Sequence, residues 1–183
     1  MANTQLDNRN FLSPTGFKFT IEKAPGATFF CNQANIPALD LGVAIQSTYL
    51  KDIDIPGDKI RFGDLNISFL IDEDLSNYLE IQRWIRGLGY PEKLDQFEKW
   101  KDQDVLNKHF SKEGEEPFSD GILQVLNSNN VSNIEVRFRR MFPYSLSTLN
   151  FNASETDVNY FTAQASFKYT IYDIRSIQGK NLL

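Results

Sequence analysis

The stretch FTAQASFKYTI, residues Phe161–Ile171, decides the fold class. Phe161, Ala163, Ala165, Phe167, Tyr169 and Ile171 alternate with Thr162, Gln164, Ser166, Lys168 and Thr170. Successive strand side chains point to opposite faces, so this period of two predicts a strand with one face buried and the other wet. The same period recurs outward from it. Ile134, Val136 and Phe138 alternate with Glu135, Arg137 and Arg139, and Ser128-Asn129-Asn130 joins that strand to Ile122–Leu126 as a hairpin. Over Asp64–Ile71, Leu65, Ile67, Phe69 and Ile71 share one face while Asn66 and Ser68 share the other, and Leu70 breaks that polarity. Phe17, Phe19 and Ile21 alternate with Lys18, Thr20 and Glu22; Pro25-Gly26 then reads as a turn and Ala27–Gln33 as the hairpin partner.

Residues 38–60 have mixed alternation through Val43, Ile45, Tyr49, Ile53 and Ile55 and close at Pro56-Gly57-Asp58, which predicts an extended hairpin arm. Asp72-Glu73-Asp74 places carboxylates at a helix start, where free N–H groups and the helix dipole favour negative charge. The helix runs to about Gly87, with Tyr78, Ile81, Ile85 and Leu88 as its stripe, Leu75, Leu79 and Trp84 widening it, and Gly89 and Pro91 stopping it. Lys93–Ser119, rich in charge, reads as an insert with a helical turn or two. The expected organisation is an N-terminal arm over 1–14, one domain over 15–177 and a short tail over 178–183. The fold class is mostly β (α+β): an antiparallel β-sandwich or partly closed barrel with one main helix covering an end.

At 183 residues with 41% hydrophobic and 23% charged side chains, the chain can build a real core and has an ordinary globular composition. No run of about 18 apolar residues exists and Met1–Asn10 is polar, so neither a spanning helix nor a secretory signal is expected, and cytoplasmic synthesis is. Net charge is −5, which disfavours a phosphate-gripping surface. Arg137, Arg139 and Arg140 beside Phe138 and Phe142 are better read as partners for carboxylates than as a nucleic-acid site.

Catalytic chemistry lacks parts. Cys31 and His109 are each the only residue of their kind, which rules out an internal disulfide and any multi-histidine or Cys-His site within one chain. Asp72, Glu73 and Asp74, or Asp102 and Asp104, could be read as acid/base or metal clusters, but the glycine and glutamate of a calcium loop are missing and helix capping or a solvated face fits better. No glycine-rich phosphate loop is present. No catalytic, cofactor or metal residue is therefore expected.

Four segments in order resemble the tail tube proteins of contractile-tailed, T4-like bacteriophages. They are Phe29–Pro37, a strand running through Cys31 into an Ile-Pro turn; Ile53–Asp58, the end of a long hairpin arm; Asp64–Trp84, a strand, acidic helix start and helix tryptophan; and Phe142–Ile174, an aromatic-Pro turn leading into a long strand. The insert and the N-terminal arm depart from that pattern. The resemblance implies a structural virion protein: sandwiches joined into stacked, hexameric rings whose sheets form one continuous barrel inside a contractile sheath. It also implies a virion tail location and assembly in the host cytoplasm. The implied partners are other copies of the chain, the sheath protein, and baseplate and terminator proteins. Double-stranded DNA would pass through without specific binding and no membrane would be entered. Related baseplate proteins that initiate the tube, and terminator or neck rings, are the alternatives. On this reading Asn66, Ser68, Thr162, Gln164, Ser166 and Lys168 are candidate lumen residues, and Ile45, Tyr49, Ile53 and Pro56 candidate contacts to an adjacent ring. A polar bore that is not basic would let DNA slide, because phosphate contacts are what hold it.

Overall fold

A computed structural model describes residues 11–89, 117–152, 154 and 160–177. Among these residues nine strands and two helices follow one another: β1 (Phe17–Ile21), α1 (Pro25–Phe29), β2 (Cys31–Ala34), β3 (Leu39–Ser47), β4 (Asp52–Phe62), β5 (Leu65–Leu70), α2 (Ser76–Gly89), β6 (Ser119–Leu126), β7 (Ser132–Leu146), β8 (Thr162–Lys168) and β9 (Ile171–Ser176). All pairings are antiparallel. Two layers share β7. Its first part lies between β6 and β9, with β1 beyond β6, and its second part pairs β8, followed by β5 and β2. The layers close on a core of Phe19, Ile21, Leu65, Ile67, Phe69, Val136, Phe138, Met141, Ala163, Ala165 and Phe167, capped by Ile81 and Trp84 of α2. The expected sandwich with one main helix is what the chain builds.

How one strand serves two sheets is visible in its parity. Val136 and Phe138 point inward, then Met141 and Pro143 do, with Arg139 and Arg140 both exposed between them. Arg140 takes a left-handed φ of 52°, and the extra residue keeps the same core on the inner side after the strand turns. Asp120 holds this corner, accepting from the Arg140 N–H at 3.1 Å and from the Arg137 guanidinium at 2.9 Å. Gly121 is buried against the Met141 thioether, and any side chain there would collide with the sulfur.

Beside that corner the chain turns again. Ala163, Ala165 and Phe167 face inward in β8, and Tyr172 and Ile174 pack on the core from β9, so the inward parity flips across Thr170-Ile171. The Thr170 N–H donates to the Arg139 carbonyl at 3.0 Å, and Ile171 pairs with Arg139. The unbroken strand expected over Phe161–Ile171 is thus a strand, a corner and the start of a second strand in the other layer.

Four further expectations are corrected. Ala27–Gln33 is not a hairpin partner of β1: Pro25 starts a one-turn helix, its fixed φ suiting a first helical position, and β2 then pairs β5 while β1 pairs β6. The arm over 38–60 does not close at Pro56-Gly57-Asp58. Its turn is Thr48–Lys51, with the Thr48 hydroxyl donating to the Lys51 carbonyl at 2.6 Å, and Pro56 lies inside β4 opposite Val43. Gly57 sits there at a bulge, where a Cβ would come 2.5 Å from the Gly42 carbonyl oxygen. Phe142-Pro143 is not a turn, because Pro143 is a buried residue of β7 on the sheet edge, where a missing N–H is tolerated. Finally, the acidic run precedes α2 by a turn. Leu75 intervenes with φ 56°, and Asp72 accepts from the Ser76 N–H at 2.8 Å. Much of the insert, with Trp100, His109 and Phe110, and all of 1–10 and 178–183 lie outside the described residues.

The buried face of α2 is rotated from the expected stripe. Asn77, Ile81, Trp84 and Gly87 are buried, and Tyr78, Ile85 and Leu88 are only partly so. Asn77 Nδ2 donates to the Leu70 carbonyl at 2.7 Å and Trp84 Nε1 to the Pro117 carbonyl at 3.1 Å, so both side-chain N–H groups answer backbone carbonyls.

Candidate functional site

Two surfaces stand out. The first is the outer face of the β7–β8–β5–β2 layer. Asn66 stands opposite Ser166 and Ser68 opposite Gln164, while Thr162 and Lys168 extend the β8 row at its two ends. All six expected lumen residues therefore share one sheet face. Side-chain bonds tie it together: the Ser166 hydroxyl donates to Asn66 Oδ1 at 2.6 Å, the Asn66 N–H to Asn35 Oδ1 at 2.6 Å, and the Gln164 N–H to the Ser147 hydroxyl at 2.9 Å. Within these four strand segments Lys168 is the sole charged side chain, and it is paired with Asp64.

That pair is part of a small cluster absent from the sequence reading. Asp64 Oδ2 accepts from the Tyr144 hydroxyl at 2.6 Å and Oδ1 from the Lys168 ammonium, which also lies 5.2 Å from the centre of the Tyr144 ring. Lys168, then Tyr144, hold the Asp64 carboxyl below its ordinary range, and Asp64 in turn raises Lys168 and Tyr144. The charges cancel across the physiological range. A signal for Asp64 existed in its place one residue ahead of a polar-faced strand; Tyr144 was hidden by reading Phe142-Pro143 as a turn.

The opposite outer face, on β1–β6–β7–β9, is of another kind. Lys18, Asp120, Glu135, Arg137, Arg139, Asp173 and Arg175 line it, with Asp173 accepting from Arg139 at 2.6 Å and from Arg175 at 3.4 Å. Arg137 and Arg139 of the cluster are here paired with carboxylates within the chain, and the Arg140 guanidinium lies over the Phe118 ring at 4.6 Å.

The second surface is the β3–β4 ribbon. Every residue of β3 is exposed, and large apolar side chains are open along it: Leu39, Leu41, Val43, Ile45, Ile53, Ile55 and Ile60. Directly opposed residues share a face, so Leu39, Leu41, Val43 and Ile45 lie with Ile60 and Pro56 on one side, and Ile53 and Ile55 on the other. The four expected contact residues are thus divided: Ile45 and Pro56 on one face, Ile53 on the other, Tyr49 in the turn. At its base the ribbon is fixed to the body. Phe62 meets the rings of Tyr169 and Tyr172 at 6.1 and 5.6 Å, and those tyrosines donate to the carbonyls of Gly63 at 2.9 Å and Pro37 at 3.3 Å. Burial pushes the Tyr169 hydroxyl up to about 12, so this anchor stays protonated through neutral pH.

Among the described residues no three His, Cys, Asp or Glu side chains are grouped to hold a metal, and no helix is long and apolar enough to cross a membrane.

A family model described as phage tail tube protein matches residues 10–175. No curated protein matches the chain. Among solved structures, the anti-feeding prophage cap, a tube-terminating cap, is similar with a TM-score of 0.58 and 12% identity over 96% of this chain and 99% of that one. A chain of the sheath-tube complex of PVC, an extracellular contractile injection system, in its extended state has a TM-score of 0.57 and 9% identity over 92% and 94%. A chain of the six-fold symmetrised anti-feeding prophage baseplate has 0.52 and 9% over 88% and 92%. At such identities the likeness is one of fold.

Proposed function

Because the chain belongs to the phage tail tube protein family, whose members are structural proteins of the tail and not enzymes, we propose that its copies join into stacked six-fold rings with the β7–β8–β5–β2 face lining the bore. The observation that carries this reading is the bonded, charge-balanced polar face of that layer. Its edges suit ring closure. β2 and the second part of β7 each have a free side, and the alternation of antiparallel pairs between them makes these edges run in opposite directions. Joining β2 of one copy to β7 of the next would continue the antiparallel order and leave this layer no exposed edge. A wall without unpaired cations offers DNA phosphates nothing to hold, which suits a conduit. The exposed ribbon would bridge to neighbouring copies, since an apolar surface of that extent is a partner surface. The sheath would surround the tube, with baseplate and terminator proteins at its ends. The sheath-tube and six-fold baseplate chains of the same fold support this arrangement.

The cap of the same fold supports a second reading, a ring that begins or ends the tube. Negative-stain electron microscopy of the purified protein over a concentration series separates the two. Long tubes of uniform bore are expected; single rings would favour an initiator or terminator, and a persistent monomer would overturn both.

A further inference from the structure

A groove of about 340 Å³ opens between the N-terminal segment and the β6–β7 turn, lined by half-buried Val125, Leu126 and Ile134 and by the exposed Phe11 and Leu12. Its rim is asparagine and serine, and no charged side chain lines it. The turn beside it is held in shape: Asn127 Oδ1 accepts from the N–H groups of Asn129 at 2.9 Å and Val131 at 3.0 Å. Elsewhere in the chain, the ribbon turn presents Tyr49 and Leu50 at 101% and 89% exposure. That turn is held as well, by the Thr48 hydroxyl and N–H, which both donate to the Lys51 carbonyl. Residues 41–50 carry no charge.

We infer that the ribbon tip of one copy seats Tyr49 and Leu50 in this groove of another copy. The inference rests on the tube reading and names the surface that receives the ribbon. Three observations favour a second copy over another occupant. The groove is lined by no charged side chain and the two residues that would enter it, Tyr49 and Leu50, carry none, although Lys51 follows in the same turn, so burying the pair itself desolvates no ion. The tip turn and the β6–β7 turn beside the groove are each held by their own hydrogen bonds before they meet, which reduces the entropy lost on docking. A tyrosine suits an apolar floor with a polar rim, because its ring is buried while its hydroxyl finds an asparagine or serine. Tip and groove are different surfaces of one chain, so the contact is head-to-tail and repeats from copy to copy, as a polymer requires.

The test is disulfide trapping in full-length protein. Tyr49→Cys and Asn129→Cys are introduced singly and together in a Cys31→Ser background, and particles seen by electron microscopy are oxidised and run on a non-reducing denaturing gel. The double variant is expected to give a ladder of trimers and longer covalent species, and each single variant monomer alone. Assembled particles whose double variant stays monomeric on the gel would overturn the docking while leaving the tube reading intact. Dimers from Tyr49→Cys alone would overturn it in favour of a tip-to-tip contact. Wild-type protein that never assembles removes the tube reading and the docking with it.

Discussion

Strands β8 and β3 both carry apolar residues at every second position, and they have opposite fates. In β8, Ala163, Ala165 and Phe167 are wholly buried; in β3, Leu39, Leu41, Val43 and Ile45 are between half and two thirds exposed. The difference comes from what lies opposite. β8 sits between two strands in a layer roofed by the other sheet and by α2, whereas the ribbon has only itself. An alternating pattern therefore announces that a face will be covered, without saying by which chain. In β8 the cover is the protein's own core, and in the ribbon it is proposed to be another copy.

The comparison can be broken at its buried end first. Phe167→Ala deletes a ring packed 6.1 Å from Trp84 and should cost about 3–5 kcal/mol, read as a lower denaturant midpoint with an unchanged slope. Ile45→Asp should do the reverse: particles disappear from micrographs while the unfolding free energy moves by no more than about 0.5 kcal/mol. Unfolding of that variant would show the ribbon to be packed on its own body. Tyr49→Asp should likewise stop stacking without unfolding, and normal tubes from it would take the tip out of the contact.

Smaller effects sharpen the account of the body. Asp120→Ala removes the acceptor for both Arg137 and the Arg140 N–H and should cost about 1–3 kcal/mol in chemical denaturation, with the ribbon and the polar face unaffected in hydrogen exchange. Asp64→Asn should have the smallest effect and a pH signature. Its carboxyl is held below the usual range in the folded protein, so its contribution is present above the unfolded value near 3.9 and lost as pH falls through the depressed folded value. The variant should lie slightly below wild type at neutral pH, and its flatter curve should converge with the wild-type one as the carboxyl is protonated in acid.

Much of this was legible in the residues. Phe17–Ile21, Leu65–Leu70 and the β6–β7 hairpin declared themselves by parity, and α2 by its spacing. So did the polar face, because Asn66, Ser68, Thr162, Gln164 and Ser166 sit on the wet side of two clean strands that pair with each other. What stayed hidden were the places where a strand changes layer. Across Arg139-Arg140 and Thr170-Ile171 the parity shifts by one, and a window reading a single period either runs past the shift or stops short of it. Pro25-Gly26 and Phe142-Pro143 misled for a related reason: proline marks a helix start or an edge position as well as a turn, and only tertiary context decides. Asn77 and Tyr144 act through backbone and carboxylate partners distant in sequence, which no local pattern reports.

The two parity shifts lie side by side, Thr170 bonded to Arg139, so the two layers are one hydrogen-bonded fabric creased along a shared line. A wall built from such units is a laminate stitched at the fold. In the proposed tube, axial load on one layer would pass to the other through backbone bonds, and the layers could not slip past each other without tearing that seam.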